Sequence, residues 1–128
     1  MSKPDLLALL PYKAFFQPDF IWWLDHNRDV YDTFEQQTLA LIAKGHSRSS
    51  AMTIVGDIRY HMAMRSVDDG DFKISNARAA DLARVFVIRH PVHALFWEYR
   101  RPDWRDFLQS LGVLPTPPQT DLFASAPC

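Results

Sequence analysis

Apolar residues recur along this chain every three to four positions. Proline, glycine and short polar runs cut that pattern into brief helical segments. Residues 1–18 carry Pro4, Pro11 and Pro18 and read as an irregular arm with a short helical turn. Pro18-Asp19 then opens an aromatic helix that continues to about His26. Asn27 or Asp29 can cap the next helix, whose inward positions are Tyr31, Phe34, Thr38, Leu41 and Ile42. Gly45, following Lys44, is placed to end it with a positive φ. Ser47, Ser49 and Ser50 make a polar turn, after which Ala51, Ile54, Val55, Ile58 and Met62 mark one face of a helix reaching about Arg65.

The second half reads in the same way. Val67 to Asp71 is a turn, and Phe72-Lys73-Ile74 alternates as a short extended segment, half of a small hairpin. Asn76 is a natural N-cap for a helix with Ala79, Leu82, Ala83, Val85 and Phe86 inward. That helix should end near His90, because the residue before Pro91 is pushed out of the helical region. Pro91 suits the first turn of a helix through Phe96 to Arg100. Pro102-Asp103 starts a last one, Trp104 to Leu111, which Gly112 stops. The predicted fold is mainly α: a compact bundle of about five or six short helices, a helix-turn-helix-like centre and at most a small β-hairpin.

Length and composition place this pattern in one domain. A chain of 128 residues fits a single core, and 48% hydrophobic with 13% aromatic residues can fill it. The expected organisation is an N-terminal arm over 1–18, a helical domain over 19–112 and a Pro-rich flexible tail over 113–128. Cys128 is the only cysteine, so no internal disulfide or cysteine-based zinc site is expected. Pro11 stops the apolar run Leu6 to Leu10 far short of a membrane span, and the expected location is the cytoplasm.

Charge is unevenly distributed behind a net value of −1. Residues 1–45 hold four cations against six acids. Residues 72–105 hold seven cations, six of them arginines, against three acids. Arginine makes planar bidentate contacts with carboxylates and phosphates, so this stretch is either a recognition surface or a set of internal ion pairs.

The stretch Tyr31 to Arg100 carries Phe34-Glu35, Gly45, Ile58-Arg59-Tyr60, Phe72-Lys73-Ile74-Ser75-Asn76, Ala83-Arg84-Val85-Phe86, Pro91 and Phe96-Trp97-Glu98-Tyr99-Arg100. In these it resembles a family of small uncharacterised proteins of bacterial genomes, phages and prophages. Ser75 and Ala77 stand where the family pattern has further asparagines. The resemblance implies a compact unit of mobile-element type and no particular reaction.

Two binding surfaces suggest themselves. Residues Thr33 to Arg65 form a helix-turn-helix-like unit in which Arg48, Ser49, Ser50 and Thr53 could face DNA bases or phosphates. Arg59 and Arg65 could reach the backbone, and Lys73 could serve in a wing. The turn is long for that motif, and Lys44 and His46 occupy places that are usually apolar. The alternative is an aromatic and arginine surface for a protein partner, built from Trp22, Trp23, Arg89, Trp97, Arg100 and Arg101. A homodimer would use the same features.

Catalytic readings fail on physical grounds. Pro18-Asp19 with Asp71-Phe72-Lys73 mimics the spacing of a metal-dependent nuclease, yet Pro18-Asp19 reads as a helix start and the required strands are missing. His90 and His93 lack a third metal ligand and are separated by Pro91. Asp68, Asp69 and Asp71 lack the alternating spacing of a calcium loop. No Gly-rich phosphate loop or nucleophile elbow occurs. Gly56, inside a helix, suggests close packing against another helix. The expectation is a non-catalytic binding protein of phage type with no cofactor, no membrane association and no small-molecule substrate. Its partner is DNA or, alternatively, a host defence complex blocked in the manner of an anti-CRISPR protein.

Overall fold

The computed structural model describes residues 1–65, 76–97 and 103–113. They form α1 (Lys3–Leu7), a 3₁₀ helix η1 (Leu10–Phe15), α2 (Phe20–His26), α3 (Arg28–Ala43), α4 (Ala51–Arg65), α5 (Asn76–Arg89), a 3₁₀ helix η2 (Pro91–Phe96) and α6 (Asp103–Ser110). The fold is thus mostly helical, as the periodicity implies. Among the described residues the only β pairing is one isolated parallel bridge, Ser49 to Trp97. The hairpin expected around Phe72-Lys73-Ile74, the Asp68–Asp71 turn and the Pro-rich tail from residue 114 lie outside the described residues.

The helices end where their sequences dictate. In α3, His46 N–H donates to Leu41 C=O at 3.2 Å and Gly45 N–H to Ile42 C=O at 3.0 Å. Those two bonds define a Schellman cap, which requires the positive φ of 97° that Gly45 adopts. α6 ends in the same way: Val113 N–H reaches Leu108 C=O, Gly112 N–H reaches Gln109 C=O, and Gly112 has a φ of 75°. Ser2 and Asp5 close a capping box at the start of α1.

The centre is α3, α4 and α5, which pack against one another, with α2 and α1 laid successively on α3 and α2. Their inward faces supply Val30, Tyr31, Phe34 and Thr38 from α3 and Ile54, Val55 and Ile58 from α4. Thr38 satisfies its hydroxyl by donating to Phe34 C=O at 2.7 Å. α5 is buried on more sides than its pattern suggests. Beyond Ala79, Leu82, Ala83, Val85 and Phe86, it also buries Val87 and the charged pair Asp81 and Arg84.

Three expectations change in detail. The first 18 residues are not irregular: α1 and η1 fold onto the domain, with Leu6, Leu9 and Phe16 in the same core as Phe107 and Leu108. Phe15 meets the edge of Phe107 at 5.2 Å, so the prolines shape short turns that lay aromatic residues on α6. The segment after Pro91 is a pair of 3₁₀ turns kinked at His93, and it ends at Phe96. Trp97 turns extended, with φ −85° and ψ 148°, and pairs with Ser49.

Gly56 does not serve close packing within the chain. It is exposed, and a Cβ built on it meets no atom of the described residues within 4 Å. Its φ is outside the positive range, so nothing among the described residues requires glycine there. Gly56→Ala is therefore expected to raise stability by about 0.5–1 kcal/mol through helix propensity, read as a higher Tm in thermal unfolding.

Candidate functional site

Ion pairing decides which of the sequence-derived surfaces is free. Arg78 lies at the start of α5 and makes a two-pronged contact with Asp19, at 3.1 and 2.7 Å, and sits over the Trp23 ring at 5.0 Å. Arg84 donates to Asp81 at 3.1 Å and lies 4.7 Å from the Trp104 ring centre. Arg89 donates through Nε to Glu35 at 2.8 Å, pairs with Asp5 at 3.1 Å and covers the Tyr31 ring. Arg78 and Arg89 of the second half are thus neutralised by acids of the first 45 residues, and Arg84 by Asp81 of its own helix. Three arginines of the supposed basic face are internal struts.

The Glu35 cluster is the densest of these. Its Oε2 accepts from the Tyr31 hydroxyl at 2.6 Å and from Arg89, while His90 Nε2 lies 3.2 Å away. Burial pushes the Glu35 carboxyl up, but the hydrogen bonds from Tyr31 and Arg89 outweigh it and hold the group below its ordinary range. Burial, reinforced by the Glu35 acceptor, pushes the Tyr31 phenol up. Arg89 of α5 reaches Glu35 on α3 and Asp5 on α1, so the cluster ties α1, α3 and α5 together. Among the described residues no three His, Cys, Asp or Glu side chains gather as a metal site.

The aromatic surface divides in two. Trp22 is 66% exposed, with the His26 ring 4.3 Å away and His26 Nδ1 2.8 Å from Trp22 C=O. Trp23 is half-buried beneath Arg78. Trp97, read from the sequence as a partner-binding residue, is 1% exposed. It stacks on Phe34 at 5.4 Å and meets the edges of Phe86 and Phe96. The bridge to Ser49 draws it inward, so Trp97 is a core residue and not a surface anchor. Arg89 likewise belongs to the Glu35 cluster. Arg100 and Arg101 lie outside the described residues.

The corner between α3 and α4 remains open. From Gln36 to Gly56 the chain contains no Asp or Glu, and Lys44, His46, Ser47 and Arg48 are all exposed. Ser50 Oγ accepts from Met52 N–H at 3.2 Å, capping α4, and Ser49 N–H donates to Phe96 C=O at 3.0 Å. Ser49 and Ser50 are therefore half-buried in structural roles, whereas Arg48 and Thr53 face solvent. Arg59 is half-buried on α4. Arg65 ends α4 with its side chain outside the described residues, as is the whole of Lys73. Sequence spacing brought out Arg48 and Thr53. It passed over Lys44 and His46, whose signal was the absence of acids on either side.

The outward side of α4 carries Met52, Thr53, Gly56, Asp57, Tyr60 and His61. No described helix is long and apolar enough to cross a membrane. No protein-family model matches the chain, and no curated protein or solved structure is similar to it, so its function is to be read from these residues themselves.

Proposed function

We propose that the protein is a non-catalytic binding module that docks on the phosphate backbone of a nucleic acid through the α3–α4 corner. The observation that carries this reading is the acid-free stretch from Gln36 to Gly56, with Lys44, His46 and Arg48 exposed side by side at its turn. Neither Lys44 nor Arg48 pairs with a carboxylate among the described residues, so both charges are available to a polyanion. Ser47 and Thr53 add exposed hydroxyl donors of the kind that bind phosphate. The arginines from Arg78 to Arg89 do not contribute, because each is held by an acid of the fold.

Two or three phosphate contacts give a log–log dependence of affinity on salt with a slope of about −2 to −3. Fluorescence anisotropy of the full chain with labelled duplex DNA, titrated at several salt concentrations, should return that slope. Lys44→Glu with Arg48→Glu should remove binding while the Tm stays within about 2 °C of the parent. A salt slope near zero, or binding that survives the double variant, would sink the proposal.

A second reading is favoured by the apolar surface. Val92 is 85% and Leu95 65% exposed on η2, and Trp22 is open on α2. Trp is among the residues that most often anchor protein interfaces, and exposed apolar surface marks interaction sites. A protein partner, such as the host defence complex that the phage-type resemblance suggests, would be retained by wild type and lost with Trp22→Ala or Val92→Glu. Retention should then be insensitive to Lys44→Glu.

A further inference from the structure

We infer that α4 is a base-reading helix that enters the major groove of duplex DNA with Gly56 at the point of closest approach, and that Asp57 selects a cytosine there. This rests on the nucleic-acid reading of the α3–α4 corner and assigns the groove-facing side of that same unit.

Gly56 supplies the first part. It sits in the middle of the open side of α4, with Met52 and Thr53 one turn before it and Tyr60 one turn after. A Cβ at this position would touch none of the described residues, and the backbone conformation is one that any residue adopts. Glycine in a helix interior weakens the helix, so its presence on an open face calls for a contact outside the chain. A glycine lets another surface come closer than any side chain would allow. A helix seated in a groove meets that demand along its central turn.

Asp57 decides how the nucleic acid lies. It is exposed beside Gly56, the first acid after the acid-free stretch, with His61 Nδ1 3.5 Å from its Oδ1 one turn later. If α4 lay across the phosphates, this carboxylate would face like charge. If α4 enters the major groove, the carboxylate meets base edges, where cytosine N4 offers it a donor. Lys44 and Arg48, in the turn ahead of α4, then fall toward the phosphate ridge that borders the groove. Thr53 and Asp57 are one helical turn apart, about 6 Å along the axis, which spans about two base-pair steps of 3.4 Å. The minor groove is too narrow to admit a helix and presents no cytosine donor.

The test is selection of the full-length protein on duplexes with a randomised 20-base-pair centre, followed by sequencing, with Asp57→Asn, Gly56→Ala and the Lys44→Glu/Arg48→Glu variant in parallel. Wild type should enrich a short motif containing a C·G pair. Asp57→Asn should change the preference at that one pair, by about 5- to 150-fold, and leave the flanking pairs alone. Gly56→Ala should lower affinity for the selected duplex at least about tenfold while raising the Tm, which separates lost approach from lost folding. Binding that depends on Lys44 and Arg48 but enriches no motif would overturn the groove assignment and leave the phosphate reading standing. An unchanged motif with Asp57→Asn, or preference for single strands, would also overturn it. Failure of every form to retain duplex would remove both.

Discussion

Trp97→Ala is expected to cost about 3–5 kcal/mol, the range for deleting a fully buried large aromatic side chain. A domain of this size has a total stability of about 5–15 kcal/mol, so the variant should lose a large share of it and melt well below the parent. The reason lies in what Trp97 touches. Its ring stacks on Phe34 of α3 and meets the edge of Phe86 of α5, joining two of the three central helices. Its main chain is paired with Ser49, at the entry to α4. Truncation would leave a void at the meeting point of all three. Urea unfolding followed by circular dichroism measures the loss directly. Trp97→Phe keeps the stacking and removes an indole N–H that has no hydrogen-bond partner among the described residues. It should cost less than half as much. Equal losses in the two variants would show that packing at this site is not the source.

Asp81→Ala is the second large effect, expected at about 3–5 kcal/mol, because it breaks a buried ion pair and removes the acceptor of both Arg84 and Gln17 N–H. Asp81 and Arg84 are 1% and 4% exposed. One carboxylate oxygen accepts from Arg84, and the other from Gln17 N–H at 3.3 Å, which fastens the turn before α2 to α5. Burial pushes the Asp81 carboxyl up to about 6, against the opposing pull of the Gln17 N–H and Arg84. A folded-state value above the unfolded one favours the protonated form in the native state. Its stabilising contribution is complete below about pH 4 and is lost as pH rises through 6. The shift corresponds to a swing on the order of 3 kcal/mol. Stability of wild type relative to Asp81→Asn should therefore rise as pH falls from 7 to 4, in urea titrations run at each pH. A flat difference would refute the assignment. Replacing both members by apolar residues, Asp81→Leu with Arg84→Met, should recover most of the loss from Asp81→Ala, since what is costly is a buried donor that loses an acceptor, which a protonated Asp81 still supplies.

The helices were legible because their signals are local. Gly45 and Gly112 stand where a left-handed residue is needed, and Pro91 fixes the end of α5. The three- and four-residue spacing of Ile54, Val55 and Ile58 marks the face that α4 buries. What could not be read was pairing at a distance. Arg89 and Glu35 are 54 residues apart, and Arg78 and Asp19 are 59 apart. No periodicity links such residues, so an arginine that braces α3 looks the same in sequence as one that greets a partner. Trp97 misled for a related reason. Two adjacent rings on a helix must diverge, but the chain leaves the helix after Phe96, and both rings turn inward. The α3–α4 corner was partly visible. Arg48 and Thr53 followed from motif spacing, whereas Lys44 and His46 emerge only once Arg78, Arg84 and Arg89 are found to be engaged.

The hydrogen bond from Ser49 to Phe96 has a consequence for how the corner responds to change. It splints the connection before α4 to a segment that lies 47 residues further along the chain. The turn that presents Arg48 is held before any partner arrives, so docking incurs little ordering entropy. The same splint couples the corner to η2. Substitutions at Pro91 or Ala94, which do not lie in the α3–α4 corner, should alter affinity there by releasing the turn. Suppressors of a weakened corner are accordingly to be sought in the 91–97 segment as well as in α4.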